Sequence, residues 1–111
     1  MKKTIRDKWV KALRGGKYRQ GSSNLRTEDM YCCLGVLCDL HSQAAFMAWE
    51  YDEKSGIYRY MGESVVLPFE VCTWARLKDP NPIAVKMAMT THNDSGKKSF
   101  KRLAALIERY L

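Results

Sequence analysis

The sequence predicts an α+β fold, with N- and C-terminal helices and a buried central helix packed on a small antiparallel sheet, in one domain spanning residues 1–111. Three observations predict it. Apolar residues recur with helical spacing at both ends of the chain, and an almost unbroken apolar run occupies residues 30–40. Between the runs, two aromatic-rich stretches flank a short turn sequence, as a β-hairpin requires. A chain of 111 residues can bury about two-thirds of its unfolded surface, so it needs no staples.

The first helix is expected over residues 4–14. Thr4 and Asp7 stand at capping-box spacing, Ile5, Trp9, Ala12 and Leu13 share one face, and Gly15-Gly16 stops the helix. Lys3, Lys8, Lys11 and Arg14 fall on the opposite face, which reads as solvated. Residues 17–26 bring cations, an aromatic and small flexible residues together. They suit either a strand followed by a polar surface loop, or a segment that holds an anion through Arg forks, a Tyr ring face and close-lying backbone N–H groups.

Met30 to Leu40 predicts an extended lead into a buried helix ending near His41, with small Cys and Gly side chains permitting close packing. Phe46–Asp52 and Ile57–Met61 predict a hairpin around the turn Glu53-Lys54-Ser55-Gly56. Its aromatics, Trp49, Tyr51, Tyr58 and Tyr60, suit either structural pairs across the strands or a ladder that stacks bases. A helix follows from Leu67-Pro68 to about Leu77, with Pro68 in its first turn and Val71, Trp74 and Ala75 inward. Ile83, Val85, Met87 and Met89 alternate as in a strand, and a loop is expected over Thr90–Gly96. Ser99 then stands at the cap of a last helix whose Phe100, Leu103, Ala104, Ile107 and Leu111 form the clearest stripe in the chain. Lys97, Lys98, Lys101 and Arg102 crowd its start. There the helix dipole disfavours cations, so a nearby anion is a second expectation.

Charge localises the first. Residues 1–26 hold nine Lys or Arg against one acid, a net +8, whereas the rest of the chain carries −1. A local basic surface speaks of an anionic partner, while whole-chain charge speaks mainly of solubility. No segment approaches the roughly 18 apolar residues of a membrane span, and no apolar signal-peptide core follows the N-terminal charges, so the expected location is cytoplasmic, without a membrane partner.

The four cysteines, Cys32, Cys33, Cys38 and Cys72, are expected as reduced, buried thiols. They stand adjacent or five apart rather than at paired zinc spacing, so neither a metal nor a cofactor is expected. A cysteine nucleophile would need a base and an electropositive, partly exposed setting. His92, beside Asn93 and Asp94, supplies one only through tertiary proximity, and no enzyme activity is expected.

The succession Trp9, Ala12-Leu13, Gly16-Lys17-Tyr18, Gln20-Gly21, Leu25, Tyr31-Cys32-Cys33-Leu34-Gly35-Val36, Leu67-Pro68, Trp74 and Asn93-Asp94, closed by the terminal helix, resembles a group of small proteins encoded by tailed bacteriophages. The Tyr-Cys-Cys-Leu-Gly-Val run is its most distinctive part. The resemblance covers nearly the whole chain and implies an accessory protein made in the bacterial host cytoplasm. In size, basicity and aromatic content the chain is also similar to phage sponge proteins that sequester cyclic nucleotide alarm signals, by analogy of overall character. That analogy implies a non-enzymatic anti-defence binder of a small anionic nucleotide, as a homo-oligomer with its pockets between subunits.

In this reading Arg14, Lys17, Tyr18, Arg19, Gln20 and Arg26 hold phosphates and base, Trp74 adds a stacking surface, and Asn93 and Asp94 read a base edge. Two other partners suit the same basic segment: a nucleic acid, or an acidic host protein whose activity it would inhibit.

Overall fold

The computed structural model describes residues 1–111 and is built around one helix, α2 (Cys33–Ala45), in which every residue from Cys33 to Cys38 is buried. A helix buried on all sides has to be apolar all round, which is why residues 32–38 show no amphipathic period. Helix α1 (Lys3–Arg14) buries Ile5, Trp9, Val10 and Leu13 and contacts both α2 and the last helix, and the Trp9 indole N–H donates to the Cys33 carbonyl over 2.8 Å. The last helix, α5 (Phe100–Tyr110), lies against α1 and buries Phe100, Leu103, Ala104 and Ile107, the stripe its sequence predicts.

Five short strands form one sheet: β1 (Arg19–Gln20), β2 (Arg26–Thr27), β3 (Met30–Tyr31), β4 (Glu50–Asp52) and β5 (Ile57–Arg59), in the order β1-β3-β2-β5-β4. The α+β class holds, and three of the four pairings are antiparallel; β1 and β3 run parallel. The predicted hairpin is β4–β5, with Tyr51 opposite Tyr58. Register places Gln20, Tyr31, Arg26, Tyr58 and Tyr51 in one row across the sheet. The Arg26 guanidinium lies 3.9 Å from the Tyr58 ring centre, covering an aromatic layer that continues through Trp49 to Tyr60.

Several local expectations are corrected. The Thr4–Asp7 capping box does not form, because α1 begins at Lys3 and the backbone N–H of Lys2 donates instead to the Ala75 carbonyl. Helix α2 continues past His41 to Ala45 and stops where Phe46 turns left-handed at φ 56°. Helix α3 (Phe69–Ala75) ends two residues early, at Arg76, also left-handed.

The largest correction concerns residues 83–94. Instead of one strand and a loop there are β6 (Ile83–Ala84), β7 (Met87–Ala88) and a further helix, α4 (Met89–Asp94). Val85 and Lys86 both take positive φ and make a two-residue turn, so the apparent alternation of Ile83, Val85 and Met87 belongs to an exposed hairpin. Met89, His92 and Asn93 are buried at helical spacing, the signal that the alternating residues masked. His92 Nε2–H donates to the Ala84 carbonyl over 2.7 Å and holds the hairpin to α4.

Candidate anion-binding cleft

The largest depression, about 650 Å³, opens between two backbone segments. One wall is the turn Gly21-Ser22 and Asn24 after β1; the other is Gly96-Lys97-Lys98-Ser99, which leads into α5. Thr27 and Met30 lie between them, and Met30 is the only apolar side chain in the lining. Gly21 lets the first wall lie close to the sheet. A Cβ there would sit 2.9 Å from that of Met30, and the Gly21 N–H donates to the Tyr31 carbonyl over 2.8 Å.

Asn93 fixes the two walls relative to each other. Its side-chain oxygen accepts from the Cys33 N–H and from Gln20 Nε2, each over 3.2 Å; its nitrogen donates to the Gly21 carbonyl over 2.9 Å and to Asp94 over 3.0 Å. Gln20 Nε2 donates as well to the Lys98 carbonyl over 3.0 Å, and the Asp94 carboxylate accepts the Ser23 N–H over 3.1 Å. Buried amides are held this way because each unmade hydrogen bond costs about 1–3 kcal/mol. All four hydrogen-bonding positions of Asn93 are therefore filled by protein, and Asn93, which itself lines the cleft, holds its shape.

The second wall carries the positive potential. An α-helix leaves its first N–H groups without intrahelical acceptors, and at α5 the Ser99 side chain caps none of them. No acid stands in the first turn of α5, while Lys97 and Lys98 precede it and Lys101 and Arg102 fall inside it. Aligned N–H dipoles and four cations at one helix start favour an anion there. Asp94 is the one carboxylate in the lining.

The residues expected at the site are thus divided. Gln20, Asn93 and Asp94 meet at the cleft. Arg14 lies between α1 and α5, its two terminal nitrogens each 3.3 Å from a carboxylate oxygen of Glu108. Arg19 faces Asp29 at 3.7 Å, and Arg26 covers Tyr58. Lys17 and Tyr18 border a different groove, between α1 and α2, where the Tyr18 hydroxyl donates to Asp39 over 2.5 Å. Burial, that hydrogen bond and the Asp39 charge hold the Tyr18 hydroxyl well above its usual titration range. Trp74 packs edge-on against His41, with ring centres 5.1 Å apart. Ser22, Asn24, Lys97 and Lys98 line the cleft although none was named as a ligand residue. The signal lay in the small, flexible part of residues 17–26 for the first two and in the crowding of cations before a helix for the others.

The Tyr31–Val36 run proves architectural. Cys32 Sγ accepts the Gly35 N–H at the start of α2, and the cysteine backbones serve Trp9 and Asn93. Burial pushes the Cys32 thiol up to about 11 and those of Cys33 and Cys38 well above their usual value, which disfavours the nucleophilic thiolate. No helix is long and apolar enough to cross a membrane.

Comparison with known proteins returns a family model over residues 1–111, described as a domain of unknown function. No curated protein and no solved structure matches the chain.

Proposed function

This chain belongs to that family, DUF8296, whose description carries no activity, and from the geometry of the cleft we propose that it binds a small phosphate-bearing nucleotide without transforming it. The observation that carries the reading is the uncapped, acid-free start of α5, set among Lys97, Lys98, Lys101 and Arg102 and opening on a polar cleft of about 650 Å³. That volume lies in the range of small-ligand pockets. Phosphate oxygens would meet the α5 amide groups and the lysines, while Ser22 and Asn24 offer polar groups to sugar or base.

Absence of catalysis fits the buried, protonated thiols and the commitment of Asn93 to the scaffold. The resemblance to tailed-phage accessory proteins supports the wider setting of the proposal. In it the chain is an anti-defence sponge in the bacterial host cytoplasm, a homo-oligomer that lowers the free concentration of a cyclic nucleotide signal.

Titration calorimetry against cyclic di- and trinucleotides tests it. A saturable heat at micromolar protein is expected with at least one member, and Lys97→Glu with Lys98→Glu should weaken it at least tenfold, about 1.4 kcal/mol. Silence across the panel would overturn the reading. Binding to DNA instead, with a log-log salt slope growing by about 0.9 per neutralised phosphate, would replace it with nucleic-acid recognition.

A further inference from the structure

A second binding feature lies away from the cleft, along the seam between α1 and α2. Two depressions, of about 330 and 290 Å³, share Lys8, Leu40 and Gln43 and so form one groove. Tyr18 stands in one part and Trp74 in the other; Ala12, Leu40 and Ala44 supply small apolar surface between them. Lys8, Lys11 and Lys17 form the rim. This groove unites three residues that the sequence had assigned to one ligand, Lys17, Tyr18 and Trp74.

The groove's chemistry differs from that of the cleft. None of its three rim lysines pairs with a carboxylate, although Lys3, Arg6, Arg14 and Arg19 all do. Lys8 and Lys11 are neighbours at i and i+3 on α1, where like charges repel. Lys17 holds its ammonium 5.5 Å from the Tyr18 ring centre, placing one cation beside an aromatic wall. Of the acids nearby, Asp39 is occupied by the Tyr18 hydroxyl, the Trp49 indole and Gln43, and Asp7 on α1 pairs with Lys3 and Arg6. The indole N–H groups of Trp9 and Trp49 find protein acceptors, whereas that of the half-buried Trp74 has none. A tryptophan at a groove end with a free donor offers both a ring edge and a hydrogen bond.

From the apolar floor, aromatic ends, free donor and uncompensated cationic rim, we infer that this groove binds a small amphiphilic anion. Its flat ring or short acyl chain lies on Leu40 between Tyr18 and Trp74, and its phosphate or carboxylate head meets Lys8, Lys11 and Lys17. The lysines on this part of α1 are thus a binding rim, while Lys3 and Arg14 on the same charged face pair with Asp7 and Glu108. The site is independent of the α5 cleft, whose lining is almost wholly polar and suits a sugar-phosphate instead.

Nuclear magnetic resonance titration of the whole chain with 1-naphthyl phosphate and, separately, decanoate tests the inference and tells a ring from an acyl chain. Saturable shifts are expected at the Trp74 indole N–H and the Gln43 side-chain amide with at least one probe. Lys8→Glu with Lys17→Glu, both at exposed positions, should weaken binding at least tenfold, and Lys98→Glu should leave it unchanged. A neutral analogue, 1-naphthalenemethanol, should bind at least tenfold more weakly than the phosphate. No saturable shift with either anion would overturn the inference, as would indifference to the Lys8 and Lys17 changes or equal affinity for the neutral analogue. Because cyclic nucleotides are read at Lys97 and Lys98, failure at either site leaves the result at the other intact.

Discussion

Gly35 and Leu25 approach so closely that a Cβ on Gly35 would lie 1.8 Å from the Leu25 carbonyl oxygen. The contact is what lets the segment between β1 and β2 cross the first turn of α2. It is sealed by the Cys32 N–H, which donates to the Leu25 carbonyl over 3.1 Å. The small residues of the Tyr31–Val36 run are a requirement of this crossing.

Gly35→Ala should therefore be among the most damaging substitutions in the chain, since the obstacle is backbone and cannot rotate away. Overpacking commonly costs 1–3 kcal/mol, and here a loss of about 3 kcal/mol or more is expected. Urea denaturation checks it; a midpoint within error of the unchanged protein would show that α2 and the crossing segment can separate freely.

Asn93→Asp keeps the shape but removes the donor to the Gly21 carbonyl and sets a second carboxylate beside Asp94. A destabilisation of about 2–3 kcal/mol is expected from one buried group left unpaired plus like-charge repulsion. Amide hydrogen exchange should quicken at Gly21 and Cys33 together. Quickening at neither would mean that Asn93 does not brace the cleft.

Stability should fall in mild acid on account of His41. It is buried beside Trp74 and hydrogen-bonded to Tyr60 over 2.6 Å, and burial lowers its pKa from 6.5, only partly opposed by the Glu70 charge. Below about 6.5 the unfolded chain binds the proton more readily than the folded one. This contribution is thus complete above that pH and is lost as pH drops toward the folded value. Thermal melts between pH 7.5 and 5 should show the decline, and His41→Asn should flatten the part that begins near 6.5. An unchanged slope in the variant would assign the effect to carboxylates instead.

Val85 and Lys86 occupy left-handed backbone, φ 51° and 61°, in a two-residue hairpin turn that favours Asn-Gly. A β-branched residue is strained there. Val85→Asn with Lys86→Gly should raise stability by about 1 kcal/mol, read as a higher thermal midpoint, without changing affinity at the α5 cleft. A lower midpoint would show that the exposed Val85 side chain packs against something in solution.

Much of the fold is legible in local pattern because both terminal helices are amphipathic and record their own period, and because the β4–β5 hairpin shows its aromatics on either side of a Gly turn. Helix α4 is hidden because the turn at Val85-Lys86 uses residues that ordinarily do not turn, so neighbouring positions imitate a strand. The division of the site has a different cause. Charge along residues 1–26 is continuous in sequence, but the chain turns from α1 into β1 and then reverses direction twice between β1 and β3. Arg14, Lys17, Arg19 and Arg26 thereby reach four different surroundings.

By itself the sequence determined the α+β class, the buried thiols and a local excess of positive charge, since these follow from composition and periodicity. Tertiary structure alone decided which clefts that charge borders. A cleft needs two walls from distant segments, here the Gly21 turn and the start of α5, held by Asn93 across separations of more than 70 residues. Such a meeting leaves no local trace, because each wall carries its own cation or loop signal and nothing in either segment points to the other.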